Sequence, residues 1–308
     1  MIGPRVGIDV GGTKCLAVVL DATGGIVREE RRPTPRGVDA LIATLADLAR
    51  EMGAVDSLGI GVPGLVSREG VLLAAPNLID VGNVEVRRLL AGELGFDVRV
   101  DNDATCAMVA EWRVGAAVGL DDVVMVTMGT GIGGGIVAGG RLVRGTNGFA
   151  GEIGHMVVDP VGPPCPCGRR GCGERYASGT GLAALARTAV AVGGLAAVVA
   201  LAGGSIDEIR GEHVQAAAQA GDAGALAVVD DFARWVALGL VNLTNALDPA
   251  MFVLGGGLAT DARLYLDPIR RWFHSLLYSS DVRPHPVVRF GTLGERSGAV
   301  GAALLGDV

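Results

Sequence analysis

Three of the chain's five cysteines, Cys165, Cys167 and Cys172, fall within eight positions, and one of its four histidines, His155, stands just upstream. Three thiolates and an imidazole make a closed tetrahedral set of the kind that holds a structural zinc ion, and Pro166, Gly168, Gly171 and Gly173 let the backbone wrap around it. Four protein ligands leave no position open for substrate or water, so such a metal shapes its surroundings rather than doing chemistry. The single residue between Cys165 and Cys167 is tighter than the usual spacing of two. A metal-bound imidazole has a second ring nitrogen still to be used. With Glu152 and Glu174 flanking the cluster, a fixed ring N–H and two carboxylates suit the vicinal hydroxyls of a sugar. Cys15 and Cys106 lie in apolar runs and are expected in the core; His213, His274 and His285 have no ligand-like neighbours.

A second group of candidates follows strand-like apolar runs. Val6 to Val10 breaks at Gly11-Gly12-Thr13-Lys14 and resumes at Leu16 to Leu20; Val123 to Thr127 leads into Gly129-Thr130-Gly131-Ile132-Gly133; Met251 to Leu254 leads into Gly255-Gly256-Gly257. Glycine after a strand lets backbone N–H groups approach phosphate oxygens, because no Cβ intervenes and φ can be positive. One such turn is equally a hairpin that needs glycine. Three together, one with Lys14, point to a nucleotide. None has the spacing of a P-loop or of a dinucleotide fingerprint. Asp9, at the end of its strand, suits Mg²⁺, held directly or through water, or a turn-forming aspartate. Asp101-Asn102-Asp103 stands between the short strand Val98 to Val100 and the helical run Ala104 to Trp112. There Asn102 or Asp103 caps the helix, or Asp103 serves as a general base.

These residues need a scaffold that brings strand ends together. Laid at an offset of 118, Gly129 falls on Gly11, so two hairpins of one design open two related halves, with a ligand expected between them. Leu41, Ile42, Leu45, Leu48 and Ala49 form one helical face, and Ala225 to Leu247 a longer one that stops before Asp248-Pro249. Strands alternate with helices, which makes the class α/β. At 308 residues there is room for two domains. They are expected over residues 1–115, joined by a terminal helix over 297–308 with Ser297 as its N-cap, and over 116–296. Half of the residues are hydrophobic, 19% are charged and 50 are glycine, the composition of a folded chain rich in turns. The net charge of -7 disfavours nucleic acid as a partner. The uncharged stretch Thr188 to Ile206 has the length of a membrane span, but paired glycines at 193–194 and 203–204 interrupt it and no basic cluster flanks it. Neither a membrane span nor a secretory signal is expected, which leaves a cytoplasmic protein with free thiols or metal ligands.

Taken together, Asp9-Val10-Gly11-Gly12-Thr13-Lys14, Val62-Pro63-Gly64, Asp101 to Ala104, Gly129 to Gly133, Gly151 to His155, the cysteine knuckle with Glu174 and Gly255 to Gly257 resemble the ROK family of the actin-like ATPase superfamily, over nearly the whole chain. The resemblance implies a two-domain, ribonuclease H-like α/β fold with its active site in the cleft between domains, and an ATP-dependent sugar kinase using ATP-Mg and a structural zinc. It implies sugar binding by Gly64, Asn102, Asp103, Glu152, His155 and Glu174, with Asp103 as the base. It also implies phosphate binding by Asp9, Gly11, Gly12, Thr13, Lys14, Gly129, Thr130, Gly131 and Gly133, an adenosine border at Gly255, Gly256 and Gly257, and zinc on His155, Cys165, Cys167 and Cys172. Glu174 and the Gly145-Thr146-Asn147-Gly148 stretch look like the family's bacterial glucokinases, which favours glucose; kinases of N-acetylglucosamine, N-acetylmannosamine, fructose or allose are the alternatives. One departure is Ile79-Asp80-Val81-Gly82, where glucokinases often carry proline, glycine and tryptophan. Sugar-responsive repressors of the family place a DNA-binding segment before the first glycine turn, and here eight residues precede Asp9. A homodimer or homotetramer is expected from the resemblance.

Overall fold

The computed structural model describes residues 5–54, 57–75, 78, 80–191, 193–257 and 261–308. The chain divides into two compact units, one formed by Met1–Met125, Gly134–Gly151 and Gly291–Val308, the other by Val126–Gly133 and Glu152–Phe290.

The first unit opens with β1 (Arg5–Val10), β2 (Lys14–Leu20), β3 (Ile26–Pro33), α1 (Val38–Glu51), β4 (Leu58–Val62), β5 (Leu65–Val66), β6 (Leu72–Ala74), α2 (Val86–Leu94), β7 (Val98–Asn102) and α3 (Asp103–Val114). Its sheet runs β3-β2-β1-β4-β7. The β1–β2–β3 meander is antiparallel, whereas β4 and β7 lie parallel to β1 and its neighbour. A parallel strand covered on both faces reads as an unbroken apolar run, and every residue of β4 is buried. On one face sits α1, whose Leu41, Leu45 and Leu48 form the stripe expected from their spacing. On the other lie α3 and the terminal helix α10 (Ser297–Ala303), which share a core of Val109, Ala110, Ala299, Val300 and Ala302 with β2. The approach of α10 is so close that a Cβ at Gly7 or Gly59 would meet its backbone carbonyls, which explains glycine at the middle of two buried strands. Ser297 is the first residue of α10 rather than its cap; its hydroxyl donates to the Gly294 carbonyl, 2.9 Å away.

The second sheet runs β10-β9-β8-β11-β12, with β8 (Val123–Met128), β9 (Ile132–Ala138), β10 (Arg141–Leu142), β11 (Met251–Gly255) and β12 (Val287–Phe290). The second unit adds the helices α4 (Glu174–Ala177), α5 (Gly179–Ala191), α6 (Ala196–Leu201), α7 (Gly211–Gln219), α8 (Ala223–Leu247) and α9 (Ala262–Leu276). Asp222 caps α8, its carboxylate accepting from the Ala225 amide. Phe232 of α8 meets Tyr265 of α9 edge to face at 5.8 Å. Among the described residues no helix is long and apolar enough to cross a membrane. The uncharged stretch is split between α5 and α6, with Gly193 and Gly194 at positive φ between them.

The first unit claims more chain than the expected boundary at residue 115 allows. Residues 116–125, 134–151 and 291–296 pack with it, because α3 gathers them. Glu111, 1% exposed, accepts from the amides of Ala116 and Leu293 and from the Thr292 hydroxyl, and a Cβ at Gly135 would collide with Met108.

Candidate active site and zinc centre

In the first unit β1 and β2 are joined by Gly11 to Thr13. The Gly11 amide donates to the Lys14 carbonyl at 2.9 Å, and the Thr34 side chain and amide hold the carbonyls of Gly11 and Thr13. This leaves Gly12 and Thr13 exposed at the turn. The Lys14 ammonium pairs with Glu295 at 2.6 Å. Asp9, at the last but one position of β1, has a fully buried Oδ1 without a hydrogen-bond partner among the described residues. Gly61 and Gly298 face it; a Cβ at Gly298 would stand 2.6 Å from the Asp9 carboxyl carbon. Burial above all, and then the negative charge of Asp103, raise the Asp9 carboxyl to about 7 against the opposing pull of Lys14. A carboxylate kept bare beside a second carboxylate, in a cradle that a side chain would fill, fits a divalent cation or its water.

Of Asn102 and Asp103, it is Asn102 that caps the helix. Asn102 is the N-cap of α3, its Oδ1 accepting from the Thr105 amide at 3.0 Å, while its Nδ2 donates to the Gly64 carbonyl at 3.1 Å. Gly64 has φ of 111° and lies against the Ala74 carbonyl, so the β4–β5 turn is locked to the end of β7. Asp103 begins the helix, with Oδ1 accepting from the Ala104 amide at 2.8 Å. Residues 76, 77 and 79 of the divergent segment after Ala75 lie outside the described residues.

In the second unit the Gly129 turn is tied down at its carbonyls. Gly179 donates to the Gly129 carbonyl at 2.8 Å and the Thr180 hydroxyl to that of Thr130 at 2.8 Å. The Gly133 amide donates to the Thr127 hydroxyl and the Ile132 amide to Glu174 Oε2. Among the described residues nothing accepts from the amides of Thr130 and Gly131. The turn opens on a cavity of about 480 Å³ bounded by Thr180, Arg210, Gln215 and Gly257, a volume in the usual range for a small-molecule site. Gly256, at φ of 92°, presses on the Met128 backbone so that β11 and β8 end together. Gly257 reaches the cavity, while Gly255 is the buried end of β11.

His155, Cys165, Cys167 and Cys172 bring one ligand atom each to within 4.8 Å of one another. Cys167 and Cys172 sulfurs are 3.6 Å apart, and Cys165 Sγ is 3.9 Å from His155 Nδ1. A tetrahedral zinc about 2.3 Å from each sulfur requires edges of about 3.8 Å, so the donor set fits the ion. Burial pushes the Cys172 thiol up to about 12, so it needs a cation to ionise near neutral pH. Since Nδ1 faces the sulfurs, Nε2 is the free nitrogen, and it stands 3.9 Å from Glu152 Oε2. Burial raises the Glu152 carboxyl. The knuckle is buttressed from behind by Tyr176, which donates to Asp159 at 2.7 Å and stacks on Trp235.

A family model, that of the ROK family, matches residues 5–307. The chain belongs to the ROK family. It is 38% identical to a glucokinase of Streptomyces coelicolor over 98% of this chain and 97% of that one. To an N-acetyl-D-glucosamine kinase of Pectobacterium atrosepticum it is 34% identical, over 97% of each. Among solved structures, a ROK family glucokinase from Streptomyces griseus in complex with glucose and AMPPNP superposes with a TM-score of 0.88, at 38% identity, covering 98% of this chain and 99% of that one.

The ROK fold is the two-domain actin-like ATPase fold expected from the sequence, and its two five-stranded sheets present the glycine turns at strand ends. Sequence reasoning missed Thr180, Arg210 and Gln215, which bound the cavity beside Gly129. These are ordinary polar residues near helix starts or within a helix, and no motif marks them; only the folding of α5 and α7 against the turn reveals them. Cys15 and Cys106 are fully buried core residues, as expected.

Proposed function

We propose that this ROK protein transfers the γ-phosphoryl group of ATP to the 6-hydroxyl of a hexose, with glucose as the sugar. The observation that carries this reading is the His155 imidazole, whose Nδ1 lies 3.9 Å from Cys165 Sγ in the three-cysteine cluster and whose Nε2 lies 3.9 Å from Glu152 Oε2. A zinc ion there fixes the ring so that Nε2–H donates in a constant direction, and a fixed donor beside carboxylates is what a pair of sugar hydroxyls needs. Support comes from the full-length similarity to glucokinases.

In this reading Glu152, His155, Glu174, Asn102 and the Gly64 turn hold the sugar. Asp103 accepts the proton of the 6-hydroxyl as that oxygen forms its bond to phosphorus and ADP leaves. Phosphoryl transfer asks little covalent work of the protein, so positioning and charge stabilisation carry the rate. The Gly11 to Lys14 and Gly129 to Gly133 segments offer backbone amides to phosphates, and the Gly257 cavity takes the nucleoside. Asp9 would hold Mg²⁺ or its water, and that ion supplies charge neutralisation at the triphosphate. The zinc is structural and takes no part in the transfer. A cytoplasmic homodimer or homotetramer belongs to the same reading.

The test is a coupled ADP-release assay with glucose, N-acetylglucosamine, N-acetylmannosamine, fructose and allose. The highest kcat/KM is expected for glucose; an absence of ATP turnover with every hexose would remove the kinase reading.

A further inference from the structure

A second concave site lies in the first unit and uses no residue assigned above. It is a cleft of about 230 Å³ lined by Arg68, Arg87, Arg99 and Arg144, with Asp101 as its one acidic side chain and Val308 also lining it. In a chain of net charge -7, four guanidinium groups on one small cleft make a local field opposite in sign to that of the whole.

The partners of the four arginines divide them. Arg144 donates to Asp101 Oδ2 at 2.7 Å, and Arg87 makes a two-pronged pair with Asp97. The Arg68 Nε–H goes to the Gly145 carbonyl, which neutralises no charge. Arg99, exposed on β7, has neither ion pair nor hydrogen bond among the described residues. Two of the four cations are therefore in direct ion pairs with aspartates; Arg68 and Arg99 make no such pair, although the charge of Arg68 is felt by Glu69 and that of Arg99 by Asp97. Val66, Val100 and Leu305 line the cleft beside the arginines.

We infer that this cleft binds a small phosphate dianion, either free or as the phosphate monoester of a metabolite. Planar guanidinium forks match phosphate oxygens two at a time, and Arg68 and Arg99, neither committed to a direct carboxylate pair, are the two forks available to turn to it. The cleft is also wired to the end of β7. Asp101, 6% exposed, accepts from Arg144 with one oxygen and from the Asn102 amide with the other, at 2.9 Å, and Asn102 caps the helix that begins at Asp103. A dianion that draws Arg144 toward itself loosens its grip on Asp101 and hence the placement of Asn102 and Asp103. Occupancy of the cleft is thus expected to lower turnover. This coupling rests on the kinase reading; the binding itself does not.

Two measurements separate them. Isothermal titration of the whole protein with inorganic phosphate and, separately, with glucose 6-phosphate is run on the native chain, on Arg99→Ala and on the double variant Arg68→Ala/Arg99→Ala. The expected result is saturable binding that weakens at least tenfold in Arg99→Ala and further in the double variant, while far-UV dichroism and basal turnover are unchanged. Tighter binding of inorganic phosphate identifies the free ion as the ligand; tighter arginine-dependent binding of glucose 6-phosphate identifies a monoester. Equal affinities across the three proteins, or no binding of either probe by the native chain, overturns the site. In the second measurement inorganic phosphate is expected to inhibit the native enzyme and to lose that effect in the double variant. Inhibition that persists unchanged in the double variant overturns the coupling, and arginine-dependent binding in a protein that turns over no hexose would leave the site standing and the kinase reading fallen.

Discussion

The turns at Gly11 and Gly129 are built alike and equipped differently. In each, a buried strand ends, glycine carries the chain round and a second strand returns, and an offset of 118 superposes them in sequence. At that offset Asp9 corresponds to Thr127 and Lys14 to Ile132. The first turn carries opposite charges: a buried carboxylate oxygen without a hydrogen-bond partner among the described residues and an ammonium held by Glu295. The second has no charged residue of its own: the carboxylate it meets, Glu174, comes from a later helix and accepts from the Ile132 amide, while Thr127 accepts from the Gly133 amide at 3.2 Å. One scaffold thus serves two electrostatic tasks. The charged turn stands beside Asp103 and suits a cation and a reacting phosphoryl group, whereas the neutral turn offers amides to a ligand's resting oxygens.

The comparison predicts where damage should be greatest. Replacing Asp103, whose charge raises Asp9 in the first unit, removes the proposed base without disturbing the Asn102 cap. Asp103→Asn should lower kcat by about 10²- to 10⁴-fold, the range of a general base. Sugar affinity, measured by equilibrium dialysis, should stay within a few fold. Near-normal turnover would take the base role from Asp103 and weaken the division of labour between the turns.

In the second unit the largest effect should come from the metal. Cys167→Ala, or chelation, releases His155, and the loss belongs to sugar binding rather than to chemistry. The KM for glucose should rise about 10- to 100-fold, the usual cost of disturbing a metal site's supporting groups, with zinc content falling from one per chain by atomic absorption. A fall in kcat with KM unchanged would place the zinc in the transfer step instead.

Much of this was legible in the chain because the chemistry is local. The zinc set spans residues 155–172, and spacing alone predicts it. The turn glycines follow apolar runs, and those runs became β1, β8 and β11. What was hidden depends on distant chain. Residues 116–125 and 291–296 pack with the first unit, where one buried carboxylate, Glu111, collects amides from both Ala116 and Leu293, and no local pattern announces a contact across 182 positions. Thr180, Arg210 and Gln215 were invisible for the same reason. Asn102 and Asp103 were interchangeable as caps until the Thr105 amide was seen to choose Asn102. Ser297, a good cap by type, lost that place because a 3₁₀ turn over Gly294–Arg296 runs into the helix and supplies its first turn.

The smallest effects should be the sharpest test of the two turns, because they compare like positions. The Asp9 carboxyl lies at about 7 in the folded protein, well above its ordinary value near 3.9. Between those values the folded state binds more proton than the unfolded state, so metal-free stability falls as pH rises from about 4 through 7. Asp9→Asn removes that loss. In denaturant titrations of the metal-free protein it should be more stable than the native chain at pH 8 by about 1 kcal/mol or more, up to the roughly 4 kcal/mol that a rise from about 3.9 to about 7 allows, with the difference vanishing near pH 4. Added Mg²⁺ should narrow the gap at pH 8 by stabilising the ionised carboxylate of the native chain only. At the matching position Thr127→Val removes a neutral hydrogen bond from the Gly133 amide. That change should cost about 1 kcal/mol at every pH and should not respond to Mg²⁺. A pH-dependent Thr127→Val, or a pH-independent Asp9→Asn, would show that the turns do not differ in the charge they hold.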